Sequence, residues 1–103
     1  SDARLKSNII SLGSTLSKLL LLDGKSYKMN VDGDQKIGVL AQDVQKVFPE
    51  LVTKGNNEML AVNYQGLVPV LINALKEQQK QIDTYKNEVS ELKKQFAKIL
   101  NSN

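Results

Sequence analysis

The 103-residue sequence contains no cysteine, no histidine and no tryptophan, only two prolines, and three tyrosines and two phenylalanines as its whole aromatic supply. Without cysteine there is no disulfide framework, and without histidine there is no Cys/His zinc centre, no His-based triad and no imidazole proton shuttle. No apolar run exceeds four residues, as in the leucines at 19–22, so nothing is long enough to cross a bilayer. The chain does not open on the basic, apolar, small-residue pattern of a secretory signal. Neither sign of charge dominates: fourteen Lys and Arg face eleven Asp and Glu, a net +3 spread along the chain. That is a poor basis for binding nucleic acid. Neither nucleic acid nor membrane is therefore expected as a partner.

What is present suffices for one folded domain. Hydrophobic residues make up 41% of the chain, which excludes a disordered tail. Residues 1–6 are polar and charged. Ile9, Ile10, Leu12, Leu16, Leu19 and Leu20 then recur at helical spacing. Ser14 is the candidate cap of a helix reaching about residue 22, where Asp23-Gly24 stops it. Tyr27, Met29 and Val31 alternate as in a strand over 25–31. Asp32-Gly33-Asp34 is a turn signal, and an extended apolar run resumes over 36–40, so the pair predicts a β-hairpin. Ala41, Val44, Val47 and Phe48 return to helical spacing, with Pro49 as the stop. Gly55-Asn56-Asn57 reads as a loop, followed by a brief strand over 59–62.

The last third changes character. Asn63 is a candidate N-cap for a long helix of about 35 residues, inside which Pro69 either kinks the first turns or marks where the regular helix begins. From Leu71 the apolar positions step by four and three. Leu75, Ile82, Val89 and Phe96 occupy a positions; Leu71, Gln78, Tyr85, Leu92 and Ile99 occupy d positions. Eight of these nine are apolar or aromatic, the pattern of a coiled coil rather than of a surface helix. Glu88 at g and Lys93 at the next e have the spacing of an interchain ion pair between parallel helices. No second heptad segment exists in the chain to pair with this one, so self-association is expected, the alternative being a helix folded back on its own domain. The mixed seam, with Gln78 as a polar layer, is compatible with a trimer. The expected architecture is α+β, a helix and β-hairpin head at 1–65 and a coiled-coil helix at 66–103 belonging to the same domain.

Chemistry-bearing groups are few. Asp32-Gly33-Asp34 lacks the remaining glycine and glutamate of a calcium loop and reads as a solvated turn. Gly24, Gly33 and Gly38 have no phosphate-loop context. The lysines of the long helix alternate with acids, as on a solvated face. Neither metal nor cofactor is expected. With no Cys or His, nucleophilic catalysis would have to use Ser or Thr activated by Lys, or a carboxylate, which leaves the pair Ser1 and Lys6 to consider. Their spacing gives them no support: at about 100° per residue they lie roughly 140° apart on a helix, and on a strand they face opposite sides. They meet only if the backbone turns between them, or if one comes from a neighbouring subunit.

Three blocks resemble a known family. The opening Ser1-Asp2-Ala3-Arg4-Leu5-Lys6 is similar to the start of the C-terminal intramolecular chaperone auto-processing domain of the endosialidase type. So is the central Ile37-Gly38-Val39-Leu40-Ala41-Gln42-Asp43-Val44 with Val47-Phe48-Pro49-Glu50-Leu51-Val52. The third block is Leu60-Ala61-Val62-Asn63-Tyr64 with Leu67-Val68-Pro69-Val70-Leu71, running into a coiled coil. The resemblance implies a homotrimer that folds the upstream region of its own precursor, a phage tail fibre or tail spike protein of the virion or a bacterial surface protein. It implies release by one self-inflicted cut before the opening serine, with a Ser–Lys dyad. Ser1 matches the nucleophile and Lys6 the general base, and a chain that opens at Ser1 is then expected to be the product side of that cut. Asp2 and Arg4 match the opening motif with no role attached. As a base, Lys6 has to be partly neutral near pH 7, about three units below the ~10.4 of a free lysine, through desolvation or a neighbouring cation such as Arg4. The alternative is a non-catalytic trimerisation tip that stays attached.

Overall fold

A computed structural model describes residues 1–102; Asn103, the end of the expected helical segment, lies outside the described residues. The molecule extends over 76 × 42 × 21 Å. Its long axis is set by helix α3, Leu67–Asn101, 35 residues and about 50 Å at ~1.5 Å per residue. Asn63 caps a tighter 3-10 turn, Tyr64–Gly66, its side chain accepting from the Gly66 amide at 3.2 Å, so it sits one turn before the helix it was expected to cap. Pro69 is the third residue of α3. Its missing N–H is one that the first helical turn leaves without a partner anyway, so it marks the helix start.

The head is α+β with two small hairpins. Strands β1 (Lys25–Lys28) and β2 (Gln35–Gly38) pair antiparallel with Tyr27 opposite Lys36. The chain turns where the Asp-Gly signal predicts. Gly33, at φ +75°, donates its amide to the Met29 carbonyl at 2.8 Å, and the Asp34 amide donates to the Asp32 carboxylate at 2.9 Å. Helix α2 (Ala41–Val47) ends against Pro49, which opens a 3-10 turn, Pro49–Leu51. Strands β3 (Val52–Lys54) and β4 (Leu60–Val62) form the second hairpin. Of this pair the sequence pattern predicts β4, an apolar run; β3, Val52-Thr53-Lys54, carries a single apolar residue, and it is its partner that makes it a strand.

Val44, Phe48, Leu51 and Val70 form the buried core, and Val44 has no exposed surface at all. Leu19, Leu22, Val39, Val47, Val52, Val62 and Leu67 pack around them. Helix α2 and the first turns of α3 thus share one small core. The Tyr64 hydroxyl accepts from the Val39 amide at 3.1 Å, and a Cβ on Gly38 would meet that oxygen at 2.6 Å. A Cβ on Gly66 would run into the Leu51 side chain.

The expected helix over 14–22 is corrected to a single turn, α1 (Leu16–Leu19). Gly13 takes a left-handed backbone conformation, φ +67°, just before the expected start, and after Leu19 the chain tightens, the Leu21 and Leu22 amides donating to the Lys18 and Leu19 carbonyls three residues back. Ser14 is not the cap. Thr15 holds the N-cap position without using its own side chain as a cap. The amides of Thr15 and Leu16 both donate to Glu77 Oε2 on α3 at 2.8 Å. The buried Thr15 hydroxyl donates to the Val70 carbonyl at 2.7 Å, and Asn73 Nδ2 to the Gly13 carbonyl at 3.0 Å. These contacts latch the N-terminal arm onto the start of α3. The Leu16 and Thr15 amides hold the Glu77 carboxyl below the ordinary glutamate value of 4.5.

Two outcomes follow. Gly66→Ala drives a methyl into Leu51 and lowers the stability of the head by about 1–3 kcal/mol, read as a lower urea midpoint with unchanged helix content. The latch is at full strength above the ordinary Glu77 value and weakens as pH falls through the lower value of the docked carboxyl. NMR shifts of the Thr15 and Leu16 amide protons are expected to titrate below pH 4.5 and to lose that transition in Glu77→Ala.

Candidate functional site

Ser1 and Lys6 meet. A 3-10 turn, Ala3–Leu5, reverses the chain between them, with the Leu5 amide donating to the Asp2 carbonyl at 3.1 Å and the Lys6 amide to the Ala3 carbonyl at 3.0 Å. Lys6 Nζ donates to Ser1 Oγ at 3.1 Å. Of the two routes that the spacing left open, a turning backbone is the one this single chain provides. The sequence alone missed the turn because three residues carry no periodic signal. Its trace is the Asp at position 2, a residue type that favours the N-cap.

Asp2 Oδ1 accepts from the Arg4 amide at 2.8 Å, the capping bond of the turn. The Arg4 guanidinium then reaches both carboxylate oxygens, Nη2 to Oδ2 at 2.8 Å and Nε to Oδ1 and Oδ2 at 3.1 and 3.2 Å. The guanidinium first, and the amide second, lower the pKa of the Asp2 carboxyl; the same pairing raises that of Arg4. A hydroxyl within hydrogen-bond distance of an amine is the arrangement needed for nucleophilic attack assisted by a general base. Ser1, Lys6 and every other residue of 1–14 are exposed, among them Leu5 at 86% and Ile10 at 87%.

The second feature is the uncovered side of α3. The head and arm dock on Val70, Asn73, Ala74 and Glu77, the c, f and g flank of the heptads. At about 100° per residue this flank lies roughly a third of a turn from the centre of the a/d seam. Leu71, Leu75, Ile82, Tyr85, Val89, Leu92, Phe96 and Ile99 are all left exposed, Leu92 by 63% and Phe96 by 62%. Every residue from Gln78 to Ser102 is exposed, so the helix does not fold back on its own head. Among the described residues no group of acidic side chains is arranged to hold a metal ion, and no helix is long and apolar enough to cross a membrane.

Residues 1–53, from the Ser1–Lys6 turn through the first hairpin to β3, match the sequence profile of the family described as chaperone of endosialidase. The long tail fibre protein Gp37 of Salmonella phage S16 is 30% identical over 104 aligned positions, which cover 90% of this chain and 14% of that protein. The long tail fibre protein Gp37 of Enterobacteria phage T2 is 37% identical over 86 positions, 74% of this chain and 6% of its own length. The chain therefore spans only about one seventh or less of these relatives. With a match over more than half its length that takes in the serine–lysine turn, the first hairpin and α2, the chain belongs to the chaperone of endosialidase family.

Proposed function

We propose that this chain is the intramolecular chaperone of a longer phage tail fibre precursor, which assembles its upstream region as a homotrimer and is then cut free at Ser1. The observation that carries the reading is the 3.1 Å contact between Lys6 Nζ and Ser1 Oγ at the head of a chain of this family. In the precursor, Ser1 Oγ attacks the carbonyl carbon of the residue before it while Lys6, as the neutral amine, takes the hydroxyl proton. The C–N bond of the tetrahedral adduct breaks, and the proton passes to the departing Ser1 nitrogen. Water then hydrolyses the resulting ester, returning the serine hydroxyl and leaving a carboxylate on the upstream part.

Assembly uses the a/d seam of α3. Glu88 at g and Lys93 at the following e favour parallel chains; antiparallel packing would set e positions against one another and bring Lys86 and Lys93 into like-charge contact. Parallel helices hold three upstream segments in register and at high effective concentration, which lowers the entropic barrier to pairing them. The chain leaves Lys6 exposed, and an amine with a reference value of ~10.4 acts as a base near neutrality only where its charged form is disfavoured. The surface that does so comes from a neighbouring copy or from the upstream chain, and cutting is thereby tied to assembly. The virion is the location consistent with this role.

A precursor extended upstream by a few tens of native residues is expected to cut itself immediately before Ser1, as read by intact mass. Ser1→Ala and Lys6→Ala abolish the cut. An uncut parent that still assembles would leave a trimerisation tip and remove the catalytic claim. Leu92→Asp places a charge from each chain in one seam layer and is expected to convert trimer to monomer in sedimentation; an unchanged trimer would show that the seam is not the interface.

A further inference from the structure

Only two members of the opening turn are used by the cut itself. Asp2 and Arg4 lie between them. We propose that Asp2 and Arg4 are positioning residues for the self-cut: Asp2 caps the turn that brings Ser1 to Lys6, and Arg4 occupies the Asp2 carboxylate so that it does not pair with Lys6. This inference rests on the Ser–Lys reading above.

The geometry supports both halves. The turn spans three residues, and without its cap only two backbone hydrogen bonds hold it, Leu5 to Asp2 and Lys6 to Ala3. A turn that short is marginal by itself. Asp2 supplies the missing constraint through Oδ1 and the Arg4 amide. The guanidinium engages both carboxylate oxygens and lies nearly free in solvent, with 89% of its side chain exposed against 45% for Asp2. An ion pair that open contributes little to fold stability, so its consequence is local.

A carboxylate left free beside the ammonium of Lys6 would favour the charged form and disable the base. With Arg4 across it, the pair is neutral as a unit. The Ser1 hydroxyl is the group hydrogen-bonded to Lys6, Asp2 and Arg4 are the other charged side chains of the turn, and residues 1–14 are all exposed. Where the arm docks, the titratable groups of α3 are Lys76, Glu77 and Lys80, and Glu77 is engaged by the amides of Thr15 and Leu16.

The test measures the single-turnover cutting rate of the upstream-extended precursor against pH for the parent, Asp2→Ala, Asp2→Asn, Arg4→Gln and Ser1→Ala. Asp2→Ala is expected to slow cutting about ten- to a hundredfold through misplacement of the nucleophile. Asp2→Asn keeps a capping oxygen for the Arg4 amide and recovers most of that loss. Arg4→Gln frees the Asp2 carboxylate and moves the half-maximal rate up by about one pH unit, a displacement that a merely structural role would not produce. Asp2→Ala cutting at the parental rate, or Arg4→Gln slowing the reaction with an unmoved pH profile, would overturn the proposal. Sedimentation and helix content are expected to match the parent in every variant, because the arm before Gly13 contributes nothing to the core; a variant that loses its assembled state would instead make Asp2 or Arg4 a folding residue and overturn the proposal as well. A parent that is not cut, or a Ser1→Ala precursor that is, defeats the Ser–Lys reading itself, whereas a parent cut in a Ser1-dependent way beside a fully active Asp2→Ala defeats only this inference.

Discussion

A 35-residue helix has more surface than a head of about 65 residues can cover, and the rest of the molecule follows from how α3 is divided. One flank, through Val70, Ala74 and Glu77, completes the core and receives the arm. The adjoining a/d seam is left to water over its whole length. A small core built around Val44, Phe48, Leu51 and Val70 is near the lower limit for independent stability. A single chain therefore holds a folded head beside a large unmet apolar surface. In the proposed function that surface is buried by further copies, which would add the hydrophobic stabilisation the single chain lacks.

The arm stands in a different regime. Its register on α3 is marked by four polar contacts, two amides on Glu77, one hydroxyl on Val70 and one carbonyl on Asn73, beside the buried Leu16. Beyond Gly13 toward the N-terminus the chain is held only by its own local hydrogen bonds. The turn at Ala3–Leu5 is thus shaped by its own residues and open to whatever lies next to it. Such a turn is preorganised in its internal distances and exposed in its surroundings. In the proposed function this separation has a use, since the pair is set before assembly and its environment only after.

Within the opening turn the charges are arranged so that the cation nearest the carboxylate is Arg4. Lys6 spends its side chain on the Ser1 hydroxyl instead, at 3.1 Å. Arginine suits the first task because its planar fork takes both carboxylate oxygens, while the ammonium of lysine is a point donor that can hand its proton on. In the proposed function, reversing the two would leave the capping bond of the turn in place and remove the base.

The sequence by itself determined what short-range physics governs. The heptad run from Leu71 to Ile99, the Asp32-Gly33 turn with its hairpin, and α2 stopped by Pro49 all depend on spacing and backbone preference within a few residues. Tertiary structure decided what depends on distant partners. The leucines expected to continue a helix to residue 22 form one turn because the chain enters from a left-handed Gly13, its start is captured by Glu77 some sixty residues away, and after Leu19 the amides reach back only three residues. Strand β3 exists because β4 pairs with it. Ser1 reaches Lys6 at a separation that suits neither helix nor strand, because a capped turn too short to register as a pattern folds the chain back on itself.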